Sequence, residues 1–200
     1  MSPDPLADLE RASRAVVDLI TAVRPDQWAA PTPCTEWSVR DLVDHLVGSN
    51  LMFLAIFGER PMPERGTDIL GDDPLAAYTA SASALEAAFA RPGILEETYQ
   101  GPLGEATGVD RLQFRVTDLL AHGWDLSRAL GVPDRLPEDL AEAALAFSRT
   151  QLPDGSSRPG RFAAAQPVPA GATAVERLVA FLGRPVSPPW TAPQGVRNGR

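Results

Sequence analysis

The chain has 200 residues, a length for one domain with a substantial core, or for one domain plus a small appendage. Charged residues make up 22% and hydrophobic residues 44%, the balance of a soluble globular protein, and a net charge of −8 repels phosphate backbones, so nucleic acid is not an expected partner. The single cysteine, Cys34, rules out an internal disulfide and fits a reducing cytosol. The opening "MSPDPLADLE" lacks the basic start and apolar stretch of a signal peptide, and no apolar run approaches the roughly 18 residues that span a bilayer. The expectation is a cytoplasmic protein with no membrane partner.

Residues 5–24 place Leu6, Leu9, Ala12, Val16, Leu19, Ile20 and Val23 at the three- and four-residue spacing of an amphipathic helix, ended by Pro25. The proline-rich stretch through Trp37 reads as a loop. Ser38, with Asp41 three residues on, is similar to a capping box and opens a second helix, about 39–57, stopped by Gly58. Residues 59–73 form a loop, and Asp73-Pro74 starts a third helix, about 74–90. Residues 94–109, with glycines at 101, 104 and 108, predict a loop or a poor hairpin. Asp110 is the expected cap of a fourth helix over 111–130, closed by Gly131. A fifth helix follows over about 137–150, then an irregular stretch over 151–171, and a last helix over about 172–182. The tail from 184 is expected to be extended or loose. This pattern predicts a mainly all-α fold: a four-helix bundle over residues 1–132, with a small C-terminal helical annex over 133–200 packed on it.

The fourth helix contains "RVTDLLAHGWDLSRALG" and carries Asp118, His122 and Asp125 at spacings of four and three. Residues so spaced share a helix face. On a helical wheel Arg111, Arg115, His122 and Asp125 fall within about 60° of Asp118, and leucines, Phe114 and Ala121 border them. A second polar sector holds Gln113, Thr117, Ser127 and Arg128. A surface helix needs one polar face. The second sector is expected to face solvent, which turns the Asp118–His122 stripe toward a cleft or the bundle interior. The only other histidine, His45, sits on the second helix, bordered by apolar residues. Two imidazoles and a carboxylate from two helices would make a three-ligand site for a divalent metal with one position open to water or substrate.

"PTPCTEWSVRDLVDHLVGSN", followed later by "DLLAHGWDLSRALG", resembles the mycothiol-dependent maleylpyruvate isomerases and related DinB-like proteins, most of all a branch with Pro-Cys-x-x-Trp-Ser-Val-Arg-Asp-Leu ahead of the first histidine. The late "RPGRFAAAQPVPAGATAVERLVAFLGR" resembles the same branch. The resemblance implies a DinB-like four-helix bundle holding a divalent metal, usually zinc, on His45, Asp118 and His122. It also implies a low-molecular-weight thiol such as mycothiol, and a small-molecule substrate for isomerisation or transfer. The isomerase itself has glutamate where this chain has Asp118, one methylene shorter, a change that can shift ligand distances and metal preference.

Around that trio, Arg115 is a candidate clamp for a substrate or thiol carboxylate, and Arg111 is weighed between that role and ordinary charge pairing. Asp125 and Asp41 are candidates to hydrogen-bond the ligand histidines. Cys34 is read mainly as a packing residue and Trp37 as part of a hydrophobic staple. Three functional readings follow. The first is a metal-dependent, thiol-using isomerase or transferase. The second is a non-catalytic metal- or small-ligand-binding bundle. The third is a scaffold whose histidines are core residues, which requires His45 to point away from His122. The oligomeric state is open between monomer and homodimer.

Overall fold

The computed structural model describes residues 4–64, 66–102, 104–152, 163–186 and 190. The irregular stretch expected over 151–171 lies partly outside these residues, and the tail expected from 184 almost wholly so. Among the described residues there are six α-helices and one two-stranded sheet: α1 (Pro5–Thr21), α2 (Val39–Ile56), α3 (Pro74–Phe89), β1 (Thr98–Gly101), β2 (Gly104–Thr107), α4 (Gly108–Leu130), α5 (Glu138–Gln151) and α6 (Ala174–Phe181). No described helix is long and apolar enough to cross a membrane.

Local chemistry sets most boundaries. Asp4 and Asp73 accept hydrogen bonds from the backbone N–H groups of Ala7 and Ala76, and a proline follows each as the first helical residue of α1 and α3. Ser38 and Asp41 form the expected capping box at the start of α2. The 94–109 region is a hairpin, with Thr98 opposite Thr107 and Gly101 opposite Gly104. The start of α4 differs from expectation. Thr107, not Asp110, is its cap, accepting from the Asp110 N–H at 3.2 Å, so the helix begins three residues early and β2 runs straight into it. Gly108 makes this possible. It donates to the Glu97 carbonyl, and a Cβ there would lie 1.8 Å from the Ile94 carbonyl oxygen, so the backbones touch where no side chain fits. Gly131, with φ of 69°, ends the helix in the left-handed conformation.

Helix α4 is the hub. In the bundle α1 packs on α3 and α4, and α2 packs on α3 and α4, closing a ring of four. Helices α5 and α6 pack on each other and on α4. None of the 23 residues of α4 is therefore exposed. This corrects the wheel: the sector of Gln113, Thr117, Ser127 and Arg128 is not a solvent face. Thr117 and Ser127 are buried, and their hydroxyls donate back to the carbonyls of Gln113 and Trp124. A hydroxyl satisfied by its own helix can be buried at little cost, and a wheel cannot distinguish it from one satisfied by water.

Candidate metal centre

Helix α4 turns Asp118 and His122 toward α2, which presents His45 from its second turn. Asp118 Oδ1 lies 3.3 Å from His45 Nε2 and 3.4 Å from His122 Nε2, and the two imidazole centroids are 4.7 Å apart. The orientation that the scaffold reading required, His45 pointing away from His122, is not the one found. Around a tetrahedral zinc ion with bonds of about 2.0–2.1 Å, ligand atoms stand about 3.3–3.4 Å from one another. The two separations from Asp118 match that spacing and all three ligand atoms lie within 4.8 Å of one another, so the donor set fits a divalent cation. His45 and Asp118 keep 33% and 28% of their side chains exposed, so the trio has an edge open to solvent, whereas His122 is buried.

Each α4 candidate ligand is held from behind. Arg115 is fully buried, donates to the Leu46 carbonyl of α2 at 2.9 Å, and pairs with Asp118 Oδ2. Asp118 is left with Oδ1 alone facing the histidines. Asp125, also fully buried, lies 3.0 Å through Oδ2 from His122 Nδ1, the arrangement that presents the lone pair of Nε2 to a metal. Burial alone would raise the Asp118 pKa, but His122 and His45 outweigh it and hold the carboxyl well below its usual range. Burial would likewise lower the His122 pKa, but Asp118 and Asp125 outweigh it and hold the value above that of free imidazole.

Several expected roles change. Arg115 points at Asp118 and the α2 backbone, not at open space, so it is not free to clamp a substrate. Arg111 is buried and donates to the carbonyls of Tyr99 and Gly104, at 2.7 Å each, pinning the hairpin to α4. Asp41 is occupied by Ser38 in the capping box and does not support His45. The neighbour of His45 is instead Ser49, whose Oγ is 3.5 Å from Nε2. Two site residues were missed in sequence. The Trp37 ring covers both imidazoles, with centroids 4.8 Å from His45 and 5.7 Å from His122. Arg184, just beyond α6, grips Asp125. The one signal for Arg184 in the sequence was an aspartate on a buried stripe that had to find a cation.

Cys34 lies beside His122 and Asp125, the three ligand atoms being within 4.8 Å of one another. Asp125 is already committed to Arg184. Burial, reinforced by Asp125 and opposed by Arg184, pushes the Cys34 thiol up to about 11. Thiolate is therefore scarce at neutral pH. Iodoacetamide is expected to label Cys34 in the folded, metal-free protein about two orders of magnitude more slowly than an unperturbed cysteine. Mass spectrometry against the urea-unfolded chain checks this, and equal rates would contradict it.

Comparison with known proteins gives the chain its relatives. Two proteins of Mycobacterium tuberculosis, from strains CDC 1551 / Oshkosh and ATCC 25618 / H37Rv, are each 38% identical over 184 residues, spanning 92% of this chain and 99% of theirs, and both are described as uncharacterized. No solved structure matches the chain. The family model described as the mycothiol maleylpyruvate isomerase N-terminal domain matches residues 9–127, which run from α1 into the last turn of α4 and include His45, Asp118 and His122, and the chain belongs to that family.

Proposed function

We propose that the protein is a divalent-metal enzyme, zinc being the expected ion, that uses a low-molecular-weight thiol such as mycothiol in an isomerisation or transfer reaction. Its small-molecule substrate would carry an activated double bond or a leaving group. The observation that carries the reading is that Asp118 Oδ1 lies 3.3 and 3.4 Å from His45 Nε2 and His122 Nε2, the three ligand atoms all within 4.8 Å of one another, at an edge open to solvent. When bound, the cation would acidify a thiol so that thiolate forms at neutral pH. The remaining work falls to the chain. Asp125 orients His122, Arg115 orients Asp118, and the Trp37 indole keeps water off one side of the imidazoles. Charge supports a thiolate partner. Arg115 offsets Asp118 and Arg184 offsets Asp125, so the buried carboxylates do not cancel a divalent charge and an anionic ligand is favoured. The bundle over 1–132 carries the ligands, and the annex over 133–200 completes their support.

A second reading, a non-catalytic metal- or ligand-binding bundle, is favoured by one observation: both terminal nitrogens of the buried Arg115 are taken by Leu46 and Asp118, so that cation is not left to hold a substrate carboxylate. A cobalt-substituted sample separates the two. Added mycothiol is expected to produce a thiolate-to-cobalt charge-transfer band, absent in His45→Ala, and to support maleylpyruvate isomerisation or thiol transfer to a related electrophile. A band without turnover across such electrophiles would favour the binding module. The absence of both band and turnover would contradict thiol use.

A further inference from the structure

Residue 184 lies far outside the 9–127 segment that carries the three candidate ligands. Its backbone is nevertheless tightly fixed. Helix α6 ends in a Schellman turn: the Gly183 N–H donates to the Ala180 carbonyl at 3.0 Å and the Arg184 N–H to Val179 at 2.9 Å. Gly183 has φ of 97°, and a Cβ on it would lie 2.8 Å from Ala163 Cβ, so the turn needs glycine. The turn sends the Arg184 side chain inward, where it is only 14% exposed. Its Nε donates to Asp125 Oδ1 at 3.1 Å and its Nη2 to Oδ2 at 2.8 Å. A fork of this kind fixes the carboxylate plane as well as its position. The same Oδ2 is the atom 3.0 Å from His122 Nδ1.

We infer that Arg184 is a positioning residue for the candidate metal site, acting through Asp125 to hold the His122 ring with Nε2 toward His45 and Asp118. The inference rests on the metal reading above. With Arg184 in place Asp125 has no exposed surface, and the guanidinium fork is what fixes which of its oxygens meets His122. The C-terminal annex is then part of the site, not only a cover for the bundle.

The test is zinc affinity of the full-length protein, read by competition with a chromophoric chelator. Arg184→Gln is expected to weaken zinc binding about 10–100-fold, the range for loss of such a supporting contact. Arg184→Lys, which keeps the charge without the fork, is expected to recover part of the loss. In an Arg184→Gln/Asp125→Asn double variant the losses should come to less than their sum, because Arg184 acts mainly through the Asp125 carboxylate, its own Nη2 standing farther from His122 Nδ1, at 3.5 Å. Arg177→Gln is the control for annex docking. Arg177 ties α6 to Glu142 of α5 and to the Ala172 carbonyl but touches no ligand, so zinc affinity should stay at the parent value. If Arg184→Gln fails to fold, the inference is read from Arg184→Lys, with the His122 tautomer followed by nitrogen NMR in the metal-free protein. Parent-like affinity and tautomer in Arg184→Lys and parent-like affinity in Arg184→Gln, additive losses, or an equal loss in Arg177→Gln would each overturn it. A parent that binds no divalent cation overturns the metal reading and this inference together, whereas a parent that binds and an Arg184→Gln that binds as well overturns this inference alone.

Discussion

Arg115→Ala is expected to destabilise the metal-free protein by about 3–5 kcal/mol, the cost of removing one member of a buried ion pair. Three losses combine. The Leu46 carbonyl loses a donor at 2.9 Å, Asp118 loses its cation, and a fully buried side chain leaves a cavity between α2 and α4. The effect should fall in the lower half of that range, because Asp118 is 28% exposed and water can take up part of its charge. Arg115→Lys should cost less while still failing to reach both partners, because an ammonium lacks the guanidinium fork. Urea unfolding in the presence of a chelator checks this. A loss below about 1 kcal/mol, the size of an average substitution, would mean that the pair does not join α2 to α4.

Loss of metal is the second large effect. Alanine at His45 and His122 removes two of the three proposed ligands and is expected to abolish tight binding, and a metal-loaded parent should also release its ion on acidification. Protons compete with the cation for imidazole nitrogen. In the metal-free chain Asp118 and Asp125 overcome the effect of burial and hold the His122 pKa above its ordinary value, so protonation begins to compete as pH falls toward that raised value. Affinity should therefore drop with acid in the parent. It should drop over a higher pH range than it would if His122 titrated at its ordinary value.

Much of this arrangement is legible in sequence where a residue type has one local use. Asp-Pro at Asp73 and Pro74 and the Ser38–Asp41 pair place helix starts, because each satisfies named backbone N–H groups. The Asp118–His122 spacing puts both side chains on one face whatever surrounds the helix. The inward direction of that stripe is right for a different reason from the one first drawn. No residue of α4 is exposed, and Thr117 and Ser127 are buried because their hydroxyls bond their own helix. Partners distant in the chain are not legible. Asp41 and Ser49 are each four residues from His45, and only the fold shows that Ser38 holds the first while the second meets the ring. Arg115 and Arg111 share a stripe with Asp118, yet one turns to α2 and the other to the hairpin. The Trp37 position depends on the turn before α2, where the Trp37 N–H bonds the Cys34 carbonyl and Glu36 takes a left-handed φ of 76°, a conformation that a periodicity reading does not register.

The most direct test of the account is the metal content of the purified protein beside a His45→Ala/His122→Ala double variant. About one equivalent of zinc or another divalent metal in the parent, and none in the variant, is the predicted result for a trio of this spacing with one edge open. No metal in either, even after reconstitution with zinc, would contradict it and leave His122 as a histidine hydrogen-bonded between Asp118 and Asp125 in a bundle that does no metal chemistry.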